Sequence, residues 1–382
     1  MKTIAIFDYC LGGHHLEYIH HLYKGACRRK DYNFIFILPS SFHTIYKNFT
    51  WSKSENISFH FFDCDDNSIG DYKMFKKSLF LSRTILHNIK RYDIEKIFLI
   101  ETMPYLPFLP FIISRKIKIT SIIYNIARYN NESTLYNKLL NHIKYSLISR
   151  FSCFERVFLL NDTNSTRYYN KKYFTDKFDY LPDPYLPIEH ISEINIRTEY
   201  DIKKNKKILL HFGGMSKRKG TLDILNSILL LKDEIASNFC FIFAGRVYDD
   251  IKREFYDKIN EIGNRCQVLI FDSFCEYNFL GILCKNSDFI LMPYHITSQS
   301  SGVMAYAAQF EKPVIAPSSG LLGRIVEDYK LGILLPEINP EIIASCLSSK
   351  MFSSYRHNKN CSREYLANNT IEKFVEIFFL KL

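Results

Sequence analysis

Two glycine-rich turns in the second half of the chain carry the residue types that hold an anion. In HFGGMSKRKGTLDIL (211–225) an apolar strand pattern runs into Gly213-Gly214, the basic tripeptide Lys217-Arg218-Lys219 follows, and Gly220-Thr221 opens a helical pattern. Glycines let the backbone approach an anion, a helix start offers unbonded N–H groups, and an ammonium neutralises charge. The tripeptide alone reads as a surface turn; between a strand and a helix it points to phosphate, with Gly213, Gly214, Ser216 and Lys219 as contacts. In MPYHITSQSSGVMAYAAQFEKPVIAPSSGLLGRIV (292–326), Ser298, Gln299, Ser300 and Ser301 lead to Gly302 and Val303 at the start of an Ala-rich helix that includes Tyr306. Those serines can simply cap the helix, or the amides behind them can hold a diphosphate with help from the helix dipole. The strand pattern Pro313 to Ala316 then enters a second small-residue turn, which presents backbone at Gly320 and Leu321.

The N-terminal GGHHLEYIHH (12–21) is a third constellation. On a helix His14, Glu17 and His21 share one side, as an acid/base pair, a metal site or a solvated face. With no separate further ligand evident, no metal is expected, and Gly12-Gly13 at a strand end favours ligand contact. Glu101 and Asn125 each follow a strand pattern and are candidates for ligand contact at a strand end. Tyr168, Tyr169, Lys171, Lys172 and Tyr173 interleave aromatic and basic residues, and Leu135 to Arg156 alternates apolar with basic positions. That pattern suits either an anionic membrane surface or a core with a solvated face.

The elements that position these residues alternate. Strand patterns at Thr3–Phe7, Phe34–Leu38, Lys96–Ile100, Ile119–Tyr124 and Val157–Leu160 are separated by polar or helical segments, among them His14–Cys27 and Leu135–Ser149. The alternation restarts after LPDPYLPIEH (181–190) and a lysine cluster at 203–207, with strands at Ile208–Phe212, Cys240–Ala244, Val268–Phe271, Phe289–Met292 and Val314–Ala316. Such alternation predicts α/β architecture: two Rossmann-like doubly wound domains facing a cleft lined by strand C-termini.

Composition agrees with a folded chain of about two domains. The 382 residues are 47% hydrophobic and 24% charged, near globular averages, which argues against disorder and fibrous repeats. The weakly charged stretch 102–113 carries three prolines and is too short to span a bilayer, and the N-terminus lacks a signal-peptide pattern. Ten cysteines without a C-x-x-C pair read as reduced thiols of a cytoplasmic protein. The net charge is +10, of which residues 1–190 hold +8. That surface suits a membrane, a phosphorylated substrate or nucleic acid, although no nucleic-acid-binding motif is present.

The second half resembles the donor domain of GT-B glycosyltransferases of the group 1, family 4 type. Gly213-x-x-Ser216-x-Arg218-Lys219-Gly220 resembles that family's G-R-L-x-x-x-K-G segment, and Phe243-Ala244-Gly245 its strand-glycine turn. Lys312 to Ala316 resembles its K-P-V-I-A strand, and Gly320 to Val326 its G-G-x-x-E-I-V element. Gly12-Gly13 resembles the first-half loop that meets donor phosphate or acceptor, and Leu181 to Pro184 the segment leading to the linker. The resemblance implies a domain for the acceptor at 1–190, a nucleotide-sugar donor domain at 191–365, and a helix at 366–382 that returns to the first domain. The family's E-x7-E glutamates are missing: the equivalent positions are Ser298 and Tyr306, or Gln299 and Ala307. Its Arg and Glu are replaced by Gly214 and Arg324, so Arg218, Arg246 and Arg324 are candidates for the missing arginine.

The resemblance implies a hexosyltransferase that moves a sugar from a UDP- or GDP-linked donor, with no other cofactor, to a saccharide or lipid-linked acceptor in surface polysaccharide synthesis. Lys219 and Arg218 would stabilise the leaving diphosphate. It also implies retention of configuration; inversion needs a base, for which Glu17 and His14 are the candidates. A cytoplasmic location on the inner membrane face follows from the same reading. A sugar-nucleotide epimerase or phosphorylase on this architecture, and a non-catalytic sugar-nucleotide or glycan-binding partner, remain alternatives.

Overall fold

The computed structural model describes residues 2–12, 14–42, 51, 53–63, 73–130, 134–380 and 382; Gly13 lies outside them. The chain divides into two compact units, Met1–Asp183 with Ile371–Leu382, and Pro184–Thr370.

Among the described residues of the first unit seven strands form one parallel sheet: β1 (Lys2–Phe7), β2 (Tyr32–Pro39), β3 (Ile57–Phe62), β4 (Lys96–Leu99), β5 (Lys118–Ile123), β6 (Phe154–Leu160) and β7 (Phe178–Leu181), in the order β3-β2-β1-β4-β5-β6-β7. The inner strands are near-continuous apolar runs because helices cover both faces; Ile4, Ala5, Ile6 and Phe7 are all buried. The second unit holds six: β8 (Lys207–Phe212), β9 (Phe239–Ala244), β10 (Gln267–Phe271), β11 (Phe289–Leu291), β12 (Val314–Pro317) and β13 (Gly332–Leu335), in the order β10-β9-β8-β11-β12-β13. Each sheet grows outward in both directions from its first strand. The order therefore reverses between β1 and β4, and again between β8 and β11, the points at which sheets of this kind bind ligands.

The change of unit falls at Asp183/Pro184 rather than at 190, for a local reason. The Asp183 amide donates to Asn161 Oδ1 at 3.0 Å and its carboxylate accepts from the Tyr18 hydroxyl, both in the first unit. Ile188 already exchanges two hydrogen bonds with the Gln309 side chain in the second. The return comes at Ile371 rather than 366, because the helix Lys359–Asn368 packs on the helix Gly302–Gln309 and Arg363 pairs with Glu311 at 2.7 Å.

The last helix, Ile371–Phe378, lies on the first helix, His15–Cys27, whose Gly25 leaves room for Val375; a Cβ there would collide with it. Phe378 is buried among the rings of Phe98, Phe158, Phe374 and Phe379. Phe378→Ala is expected to cost about 3–5 kcal/mol in denaturant unfolding, the usual range for a buried phenylalanine. A loss below about 1 kcal/mol, the scale of a surface change, would show that this helix does not complete the core.

Candidate functional site

At the carboxyl end of β8 the backbone turns so tightly that only glycine fits. Gly213 has φ +91°, and a Cβ there would lie 2.7 Å from Lys219 Nζ, so the ammonium rests directly over the turn. Gly245, after β9, has φ +136° and a Cβ would strike the Gly213 carbonyl; Gly220 has φ +66° and a Cβ would strike the Pro293 carbonyl. Residues Lys217–Lys219 form one 3-10 turn, capped by Gly220, before the helix Thr221–Leu230 begins. The turn is pinned from beneath by His211, buried at the end of β8. Its Nδ1 donates to the Leu291 carbonyl at 2.9 Å, and its Nε2 meets the Thr221 hydroxyl at 3.0 Å. That hydroxyl also accepts the Ser216 amide at 3.2 Å. His295 holds the outside, its amide donating to the Arg218 carbonyl at 3.0 Å and its ring facing Asp223 at 2.8 Å.

Lys219 also stands 5.3 Å from the ring centre of Tyr294, a cation–π contact that fixes the ammonium without neutralising it. Among the described residues Lys219 is in no ion pair, and the buried Tyr294 hydroxyl has no hydrogen-bond partner. A fixed cation beside an unspent buried donor, at the β8/β11 reversal, suits an anionic ligand. The loop from β11 then delivers the helix Gly302–Gln309, which starts at Ser301 without a side-chain cap. Its first internal turn bond is Met304 N–H to the Ser301 carbonyl at 3.0 Å, and the amides of Gly302 and Val303 precede it.

The neighbouring turn is spent differently. Gly320 (φ +72°) packs against Thr297, and the Leu321 amide donates to the Thr297 carbonyl at 2.7 Å. Gly320 and Leu321 thus tie the helix Gly320–Asp328 to the 292–301 loop. Tyr306 is buried and packs edge-on against Tyr185 and at a tilt to Tyr277. Ser298 is buried, Gln299, Ser300 and Arg324 are half-buried, and Arg218 and Arg246 are exposed. Gly214 lies beneath the Tyr248 ring, where a Cβ would approach it at 2.7 Å.

In the first unit a second polar cluster gathers at the β1/β4 reversal. Asp8, fully buried just past β1, meets His15 Nδ1 at 2.8 Å at the start of the first helix. The Tyr9 hydroxyl donates to Glu101 Oε2 at 2.8 Å, and Lys77 lies over the Tyr9 ring at 4.4 Å. Tyr124 stacks near both His15 and Tyr18, and its buried hydroxyl has no partner among the described residues. Burial works against a charge on His15, yet the adjacent Asp8 carboxylate outweighs it and holds the imidazole above its ordinary pKa. Burial raises the Glu101 carboxyl as well, against the pull of the Tyr9 hydrogen bond.

Sequence reasoning pointed one residue away from this pair. His14 is the exposed residue before the helix and contacts Glu17 at 3.2 Å, while His21 turns inward and burial lowers it to about 4. The three do not converge on one ligand position. Gly12 lies beside the Cys10 thiol at the same strand end. Glu101 belongs to the cluster; Asn125 is exposed beyond β5. Asp8, His15, Tyr294 and His211 were missed, although an acid closing strand one and a histidine opening the next helix was a visible signal.

With two parallel, doubly wound sheets in one chain, the protein has the GT-B fold. No protein-family profile matches the sequence, and no curated relative matches it. Among similar solved structures, Anabaena HepE in complex with UDP covers 100% of this chain and 99% of its own at TM-score 0.69 and 15% identity. WaaG, described as a glycosyltransferase involved in lipopolysaccharide biosynthesis, aligns over 98% of this chain and 99% of its own at TM-score 0.67 and 13% identity. Sucrose-phosphate synthase from Thermosynechococcus elongatus aligns over 100% and 98% at TM-score 0.68 and 12% identity.

Burial lowers His211 to about 4, so it is neutral in the fold and must stay so to accept from Thr221. Because the unfolded chain binds that proton near pH 6.5, its contribution is complete above that value and is lost as pH falls toward 4, at up to about 1.4 kcal/mol per pH unit. His211→Asn is expected to flatten the fall in unfolding free energy between pH 6.5 and 4.5. An unchanged slope would contradict the buried neutral histidine.

Proposed function

We propose that this protein is a glycosyltransferase that moves a hexose from a UDP- or GDP-linked donor to a saccharide or lipid-linked acceptor. The observation that carries the reading is the Lys219 ammonium, held over the Gly213 turn against the Tyr294 ring at the β8/β11 reversal. Bond cleavage in a nucleotide sugar leaves a diphosphate, and preorganised positive groups at the departing oxygens lower that barrier. In this reading the second unit binds the donor. Lys219, Arg218 and the amides of Gly302 and Val303 take up the developing charge, and Ser298, Gln299 and Ser300 line the approach. The first unit binds the acceptor, at Asp8, His15, Glu101 and Tyr124. The nucleotide sugar is a co-substrate and no resident cofactor is invoked.

Similar solved structures support the reading: HepE is described in complexes with UDP, with UDP and glucose, and with UDP-glucose. Work at the inner face of a membrane, in surface polysaccharide synthesis, is the setting we infer, supported by the basic and apolar surface of the helix Leu135–Arg150. No described helix is long and apolar enough to cross a bilayer.

Retention of configuration is what the family resemblance implies, and there the departing diphosphate itself takes the acceptor proton. The Asp8–His15 pair favours a second reading, inversion, with His15 as the base and Asp8 holding its tautomer. The anomeric configuration of the product separates the two.

Labelled nucleotide sugars bearing UDP, GDP, ADP or CMP test the assignment. Transfer or slow donor hydrolysis is expected; an isomerised donor would instead mark an epimerase, and binding without turnover a sugar-nucleotide binder. Lys219→Ala is expected to lower kcat about 10²–10³-fold, as loss of one oxyanion donor does, with an unchanged melting temperature. Turnover at the wild-type rate would remove Lys219 from the site. If the product is inverted, His15→Asn is expected to lower kcat about 10²–10⁴-fold with little change in donor KM.

A further inference from the structure

A cavity of about 300 Å³ lies in the first unit, away from Asp8 and His15, between the turn Ala127–Tyr129 and the helices Leu135–Arg150 and Thr163–Tyr173. Its floor is aromatic: Tyr145 stacks on Tyr169 with ring centres 4.0 Å apart, and Tyr173 lies alongside. Its rim is cationic, with Arg128, Lys138 and Lys172, and among the described residues no carboxylate lines it. None of the three cations is in an ion pair among the described residues. The Arg128 guanidinium sits 4.6 Å over the Tyr168 ring, and Lys172 Nζ sits 5.4 Å and 5.5 Å from the rings of Tyr168 and Tyr173. Ring faces hold these cations in place while leaving most of their N–H groups for an acceptor. His142 is fixed by the Tyr173 hydroxyl at 3.0 Å.

The helix that supplies Lys138 and His142 bears an apolar stripe one position further round. Leu135, Leu139 and Ile143 follow one another at four-residue spacing and are 86%, 58% and 41% exposed, with Tyr136 beside them. Unpaired cations in a pocket and bare aliphatic side chains along its edge match the two halves of a phospholipid: a phosphate, and the acyl layer just below it. A soluble phosphate ester would satisfy the cations but leave the stripe in water.

We propose that Arg128, Lys138 and Lys172 form a phosphate site that seats the headgroup of an anionic lipid, with Leu135, Leu139 and Ile143 entering the bilayer surface beside it. The site deepens the membrane setting proposed above, which rests on the same helix, and is independent of the transfer chemistry, since it needs neither donor nor acceptor.

Sedimentation with vesicles of phosphatidylglycerol and phosphatidylcholine in equal parts, against pure phosphatidylcholine, is the test, with inorganic phosphate added to the mixed vesicles as competitor. Binding to the mixed vesicles alone is expected, weakening about five-fold for each cation removed among R128Q, K138Q and K172Q. Leu139→Ser should weaken it as well, and phosphate should compete. The triple change K203Q/K204Q/K206Q, in the second unit, should leave binding intact and so controls for general electrostatics. Circular dichroism confirms that each variant is folded. Equal binding to both vesicle types, or mixed-vesicle binding untouched by the three rim substitutions, would overturn the site. Thermal stabilisation by inorganic phosphate without vesicle binding would overturn the lipid as its occupant.

Discussion

Close approach of backbone to backbone at the ends of three strands is the constraint on which the second unit's site depends. Gly213, Gly220 and Gly245 each take a positive φ; a Cβ at Gly245, after β9, would strike the Gly213 carbonyl after β8, one at Gly220 would strike the Pro293 carbonyl after β11, and one at Gly213 would meet the Lys219 ammonium. The cost of glycine is entropic, since it loses the most freedom on folding. What it permits is a turn flat enough for an ammonium to lie across it, with peptide groups rather than side chains forming the surface beneath. Lys219 reaches that surface only because the 3-10 turn at 217–219 is followed at once by a left-handed glycine cap.

Polar groups under this turn serve rigidity. His211 joins β8 to β11 through the Leu291 carbonyl and to the helix start through Thr221, and both of its ring nitrogens are engaged. A buried, neutral, fully bonded imidazole specifies one arrangement of three chain segments, because any other leaves a donor or acceptor unpaired. The first unit uses its reversal point in the opposite way. There the buried carboxylate of Asp8 keeps His15 basic, and Tyr124 presents a hydroxyl that nothing in the described chain occupies. One sheet end therefore carries a cation in no ion pair among the described residues, and the other a buried carboxylate paired with an imidazole.

How much of this was legible in the sequence follows from what each signal depends on. The inner strands are apolar on both faces and were visible as runs, from Thr3–Phe7 to Val314–Ala316. β3 (ISFHFF) and β7 (FDYL) are edge strands whose polar residues interrupt the run, and β13 is short and opens with glycine, so none stood out as a strand. Lys219, Gly213 and Gly220 were recognisable because glycine and lysine between a strand and a helix have few structural uses. Gly320 and Leu321 carried the same local pattern, yet their role depends on Thr297, more than twenty positions earlier, which no local motif reveals. His15 and not His14 faces Asp8 because the helix begins at residue 15, and a one-residue shift turns a side chain by about 100°. The pairing of Tyr294 with Lys219, and of Tyr9 with Glu101, joins elements remote in sequence.

The proposed role of Lys219 depends on where a nucleoside diphosphate binds. A crystal structure of the protein soaked with UDP or GDP is the direct measurement. It should place a diphosphate oxygen within hydrogen-bond distance of Lys219 Nζ, above the Gly213 turn, with a second oxygen at the amides of Gly302 or Val303. Diphosphate density bound elsewhere, with Lys219 still resting on Tyr294 and touching no ligand, would contradict it.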